Sequence, residues 1–361
     1  MTTRIVLGGA VALGLLVSIP TARAELPTQD WTRTETRADC ASYAPLRTAF
    51  FGETHIHTGY SGDAVFVRVR TTPRDAYMFA QGDPVGLPPY DAFDDPTRFA
   101  QLRRPLDFTA VSDHAEWMGE MRTCLTDGLP GSNDPNCVAV RDEIESPAAG
   151  ISAPLPVVVI AFQSTIQSAT PTRLGLCGAG DINCITQAGL VWQDELEAAE
   201  EFYDRTASCS FTTFPAYEWT NNLDGYNLHR NIIFRNAEVP SLPTSYYEAP
   251  LVEGLFSALE TDCLDAPGNC DFVSIPHNSN ASGGLMFEPA NADGSPLTKA
   301  DAERRSTHET LVEVFQHKGS SECSALSSPN DELCGFEPLR REKLFASANM
   351  LANPPPLNFV R

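Results

Sequence analysis

The sequence predicts an α/β fold, specifically a barrel with its functional site at the C-terminal rim of the strands. Three observations carry this. From Thr48 onward, short runs rich in aromatic and β-branched residues recur, which is the composition of strands. Helical patterns lie between several of them, which favours parallel pairing. Most runs end in ionisable residues, the placement expected at a barrel rim.

Taken in order, residues 1–24 read as an export signal. Arg4 is followed by an apolar run from Ile5 to Ile19, and Ala22-Arg23-Ala24 has the small-x-small form of a cleavage site. The run is short for a membrane span, although an uncleaved anchor is the alternative. Residues 25–48 form a polar lead-in, and 49–361 a single functional domain. The expected strands are 49–57, 106–114, 211–219, 229–234, 272–277 and 311–317. A short helix is expected over Pro73–Ala80, opened by proline and closed before Gly82. A longer one is expected over Gln187–Arg205, burying Leu190, Trp192, Leu196, Ala199, Phe202 and Tyr203. Residues 125–186, rich in Gly, Pro, Ser and Cys, read as an insertion over one side of the rim. Residues 281–300 read as another long loop.

The net charge of −22 disfavours binding of nucleic acid through a basic face. No later stretch is long and apolar enough to cross a bilayer. The ten cysteines all follow the signal, and an even number in an exported chain suggests disulfides. The natural close pairs are Cys124–Cys137, Cys177–Cys184, Cys263–Cys270 and Cys323–Cys334, leaving Cys40 and Cys209 for a long-range bridge. A periplasmic or secreted location follows.

His55 and His57 are the first chemical signal. Residues two apart on a strand share a face, so both imidazoles can converge on one zinc, iron or manganese ion. His114 follows Asp113, His229 begins a strand, His277 ends one, and Glu218 ends another. Asp63 lies in a turn able to fold back toward the rim. Each admits a plainer reading: Asp63 as a turn residue, His229 as an ordinary buried or surface histidine, Asp113 as an orienting partner of His114. A carboxylate among histidines can bridge two metals.

The segments F-F-G-E-T-H-I-H-T-G-Y-S-G-D-A (50–64) and V-S-D-H-A-E (111–116) resemble the first two motifs of the polymerase-and-histidinol-phosphatase (PHP) superfamily. With A-Y-E-W-T (216–220), N-L-H-R-N (227–231), P-H-N-S-N (276–280) and Q-H-K-G-S-S-E (316–322), the chain more narrowly resembles the domain-of-unknown-function family DUF3604. This resemblance implies a distorted (β/α)7 TIM-like barrel, with loop insertions, holding two or three divalent metal ions for phosphoester hydrolysis. It implies that His55 and His57 hold one metal, that Glu218 bridges to a second held by His277, and that Asp63 and His114 hold a third. His229 has no secure counterpart in the broader pattern. Lys318 and Glu322 match the narrower one only; Lys318 reads either as an anion-binding group or as a solvated lysine. The Asp-x-His motif that normally finishes such sites is missing after His277, so the expectation is a chain cut short at its C-terminal end.

The function expected is metal-assisted hydrolysis of a small-molecule ester, with Asp113 and Lys318 as candidate catalytic groups beside the metal ligands His55, His57, Asp63, His114, Glu218, His229 and His277. A non-catalytic exported metal-binding or scaffold protein is the alternative. A serine hydrolase is disfavoured, since no G-x-S-x-G elbow is present.

Overall fold

The computed structural model describes residues 35–335 except 45, 47, 94, 146–156, 292–293, 317 and 324–329. The export signal expected over 1–24 therefore lies outside the described residues, as do His317 and the chain after 335.

Strand β1 (Gly52–Ile56) leads through helices α1 (Gly62–Phe66) and α2 (Pro73–Ala80) to a hairpin, β2 (Val85–Tyr90) and β3 (Pro96–Ala100). Strand β4 (Phe108–Val111) follows, then helices α3 (Met118–Leu125), α4 (Pro135–Glu145), α5 (Val157–Ser164) and α6 (Ile182–Phe202). Strands β5 (Thr212–Phe214), β6 (Ala216–Trp219) and β7 (Arg230–Phe234) come next, then α7 (Val252–Leu259), β8 (Phe272–Pro276) and α8 (Lys299–His308). The last strands among the described residues are the two-residue β9 (Phe315–Gln316) and β10 (Gly319–Ser320).

The barrel expectation is overturned. Among the described residues the strands form small sheets of two or three, and no closed barrel is present. β1, β4 and β5 pair in parallel with β4 central. β6, β7 and β8 are antiparallel, with Ala216 opposite Ile233 and Arg230 opposite Pro276. For β6 and β7 the reason lies in their connection. A parallel crossover needs a dozen or more residues, usually a helix, but only a short 3-10 turn (Leu223–Gly225) joins β6 to β7. Strand composition is the same for either direction, so the sequence pattern did not reveal the reversal. The two sheets meet where His114 bridges to Glu218 in parallel, with Ala115 N–H donating to Glu218 O (2.9 Å) and Glu218 N–H to Asp113 O (2.9 Å).

Other elements differ in detail. The strand expected over 211–219 is split at Pro215, which has no N–H to give to a ladder. The strand expected over 311–317 reduces to Phe315–Gln316. The β2–β3 hairpin was not foreseen, because its proline-rich sequence lacks strand composition. The insertion at 125–186 carries α4 and α5 and the start of α6. Helix α2 matches its expected bounds and is closed at its start by a reciprocal cap between Thr72 and Asp75. Helix α6 starts earlier than expected and ends at Phe202, and its buried stripe is Cys184, Ala188, Val191, Trp192, Glu195, Ala198 and Ala199. Leu190, expected inside, is instead 44% exposed.

The main core packs α3, α4, α5, α6 and α7 around Trp117, Met118, Met121, Phe162, Trp192, Tyr217, Phe234 and Phe256. All five expected disulfides are present: Cys40–Cys209, Cys124–Cys137, Cys177–Cys184, Cys263–Cys270 and Cys323–Cys334. They fit an oxidising compartment. No described helix is long and apolar enough to cross a membrane.

Helices α3 and α6 are in close contact at Gly119, where an added Cβ would lie 1.9 Å from the Cys184 carbonyl oxygen. That oxygen is backbone and cannot swing aside. Gly119→Ala is therefore expected to destabilise the fold by about 2–3 kcal/mol through overpacking, read as a lower urea midpoint with an unchanged slope.

Candidate metal centre

Five histidines from four segments surround one carboxylate. Glu218, in β6, is wholly buried. His55 lies in β1 and His57 just beyond it. Their rings are 5.1 Å apart, and the Nε2 atoms of both stand 3.0 Å from Glu218 Oε2. The two-residue spacing thus does bring both imidazoles to one point. On the other oxygen, Oε1, converge His277 Nε2 at 3.1 Å, His229 Nδ1 at 2.6 Å and His114 Nδ1 at 3.5 Å. His229 and His277 flank the paired ends of β7 and β8, where His277 N–H donates to His229 O (3.3 Å). Asp63, in the first turn of α1, reaches His57 Nδ1 and His114 Nε2, each at 3.4 Å.

The expected ligands His55, His57, Asp63, His114, Glu218, His229 and His277 are therefore brought together. Three sets place ligand atoms within 4.8 Å of one another: His55, Glu218 and His277; His57, Asp63 and His114; and His114, Glu218 and His229. His229 Nδ1, although close to Glu218, and His277 Nδ1 are both buried without a hydrogen-bond partner. Nitrogen and carboxylate donors converging in this way fit a divalent cation such as zinc, manganese or iron. The other groupings of this kind among the described residues use cysteines already joined in disulfides.

Several partners escaped the sequence reading. Glu313 accepts from His55 Nδ1 at 2.7 Å and orients that ring toward Glu218. Ser61 Oγ is bonded to His57 Nδ1 (2.7 Å) and accepts from His114 N–H (2.9 Å). Thr220 Oγ1 is bonded to His114 Nδ1, and Asn222 Oδ1 accepts from His229 Nε2 (2.7 Å). Glu116, wholly buried, accepts from the N–H groups of Thr220 and Tyr246. One signal was available: Glu313 is a lone acid inside the apolar run Leu311–Phe315.

Asp113 is also wholly buried. Its carboxylate takes the N–H and the hydroxyl of Thr58, tying down the segment after His57. Burial raises its pKa, and Glu195 on α6 is raised well above the carboxylate range by burial and by Asp113. Lys318 lies in the turn between β9 and β10, partly exposed, and its charge acts on both Asp63 and His229.

Protein groups alone give the site an uneven charge pattern. Burial opposes charging of His55, but bonds to Glu218 and Glu313 outweigh it and push its pKa up to about 9. For His114, burial is outweighed by the charges of Glu218 and Asp63, again giving about 9. Burial takes His229 down to about 4 and His277 down to about 3. Burial also opposes ionisation of Glu218, yet the surrounding histidines hold it well below the usual carboxylate range. For Asp63, the charges of His57 and His114 likewise outweigh burial and keep it ionised.

Fold and site together define a disulfide-stapled α/β protein with a polyhistidine centre built on one buried glutamate. The chain belongs to the family described as protein of unknown function (DUF3604), whose profile matches residues 44–361. No curated protein and no solved structure matches it.

Because His55 and His114 hold protons more tightly folded than unfolded, their stabilisation is complete below their ordinary value of 6.5 and is lost as pH rises through about 9. Chelator-treated protein should therefore show a falling thermal midpoint between these values, and saturating zinc should remove the fall. Glu313→Gln should weaken zinc affinity about 10- to 100-fold, measured by competition with a chromogenic chelator.

Proposed function

We propose that this chain is a metal-dependent hydrolase that cleaves a phosphoester or a related ester of a small molecule. The observation that carries the reading is the convergence of five imidazoles on the buried Glu218 carboxylate, with Asp63 on the outer side. Burying an anion costs several kcal/mol unless cations compensate it, and without metal that compensation falls to protonated His55 and His114. Divalent metals would compensate it, and would lower the pKa of a water toward neutrality for attack on the ester. Glu313 would hold His55, and Ser61 would hold His57, through their Nδ1 atoms, leaving Nε2 of each free to ligate. Asp113 acts by fixing Thr58 and hence the turn after His57. Lys318, near Asp63 at the exposed side, would receive the anionic group of the substrate. The motif order that resembles the PHP superfamily supports the same reading, with a centre of two or three metals. The expected export signal and the five disulfides favour work outside the cytoplasm.

The test is metal analysis of purified protein, followed by a panel of chromogenic phosphomonoesters, phosphodiesters and carboxylic esters with added manganese or zinc. Turnover should vanish with chelator and return with metal. Glu218→Gln should lower kcat by about a thousandfold or more if the carboxylate bridges the metals, and should reduce bound metal per chain. Lys318→Ala should chiefly raise KM for anionic substrates. Stoichiometric metal with no turnover on any ester would instead favour a metal-binding scaffold.

A further inference from the structure

We propose that Asn222 is a positioning residue that fixes the ring proton of His229 on Nε2, so that His229, unlike His55, His57 and His277, meets a metal through Nδ1. The proposal rests on the reading of the histidine cluster as a metal centre. His55, His57 and His277 present Nε2 to Glu218. His229 is turned the other way, with Nδ1 2.6 Å from Glu218 Oε1 and Nε2 2.7 Å from Asn222 Oδ1.

A neutral imidazole carries one N–H and one lone pair, and only the lone pair can bind a metal. Which nitrogen is left for the metal follows from the hydrogen bond that the other one makes. Asn222 Nδ2 donates to Gln163 Oε1 (3.3 Å), which turns Oδ1 toward the ring. An amide oxygen can only accept, so the ring proton belongs on Nε2. Nδ1 is buried and makes no hydrogen bond, although Glu218 Oε1 is so near. A bare nitrogen and a carboxylate oxygen at that distance repel each other unless both face one cation. The pair therefore fits a shared divalent ion, with nitrogen from one side chain and oxygen from the other. Gln163 lies on α5, within the insertion at 125–186. The N–H groups of Asn222 and Asp224 donate to the carbonyls of Ile166 and Gln167, just beyond that helix (each 3.2 Å). The insertion thus anchors the turn that orients His229.

The experiment is nitrogen NMR of isotope-labelled histidine rings in the full chain, first after chelation and then with zinc added. His229 is assigned by the signals lost in His229→Asn. The metal-free wild type should carry the His229 proton on Nε2, and zinc should then shift the Nδ1 resonance. Asn222→Leu removes the acceptor and should show both tautomers, with zinc held about 10- to 100-fold more weakly in competition with a chromogenic chelator. Asn222→Asp keeps an acceptor and should restore the tautomer and most of the affinity, a rescue that a purely structural role would not produce. A proton on Nδ1 in the metal-free wild type, a zinc shift at Nε2, or zinc held as tightly by Asn222→Leu as by wild type would each overturn the proposal while leaving the metal centre standing. A wild type that takes up no zinc would overturn the metal centre itself, and this proposal with it. The wild-type spectra need no substitution at Asn222, so they decide should Asn222→Leu fail to fold.

Discussion

The buried carboxylate of Glu218 is the constraint around which the other parts of the site are arranged. An ionised group with no solvent exposure survives only where positive or polarisable groups surround it. Here both oxygens are occupied, Oε2 by His55 and His57, Oε1 by His114, His229 and His277. Each of those histidines is delivered by a different stretch of backbone, apart from the His55–His57 pair. The requirement to satisfy one carboxylate therefore couples β1, the end of β4, β6, β7 and the end of β8.

That coupling holds together two sheets that do not close into a barrel. The parallel sheet supplies His55, His57 and His114; the antiparallel sheet supplies Glu218, His229 and His277. The two are joined by the backbone bridge between His114 and Glu218, so two residues of the candidate centre are themselves the seam. The rings of His55 and His277, at the far edges of the two sheets, come within 4.1 Å. No ladder between β1 and β8 is present among the described residues. The side chains of the centre, together with Glu313, whose N–H donates to Pro276 O (3.1 Å), span that gap.

Around the centre lies a second set of buried acids that does not ligate. Asp113, Glu116 and Glu195 are each packed inside the protein. Asp113 and Glu116 use backbone N–H groups as partners, which positions the turns carrying His57 and Thr220. Glu195 faces Asp113 from helix α6, and burial keeps its proton on. Glu195 lies more than eighty residues beyond Asp113 in sequence. Arg68, just after α1, is buried with its Nε and Nη2 unpartnered among the described residues.

The candidate donor set was legible in the sequence because strands place residues at strand ends in a predictable way: H-I-H on one face, and D-H, E-W and P-H where apolar runs stop. The disulfide pairs were legible because short spacings leave few alternatives. Helix α2 was legible because its cap chemistry is local. Strand direction, the break at Pro215, the true stripe of α6 and the partners Glu313, Ser61, Thr220 and Asn222 were not. Each depends on which distant segment packs against which, and a residue's own neighbours in sequence carry no information about that. What the sequence determined alone is the inventory of donors and the local geometry that aims them. What only the tertiary structure decided is that they meet at one buried carboxylate, because satisfying that charge requires contacts between segments far apart along the chain.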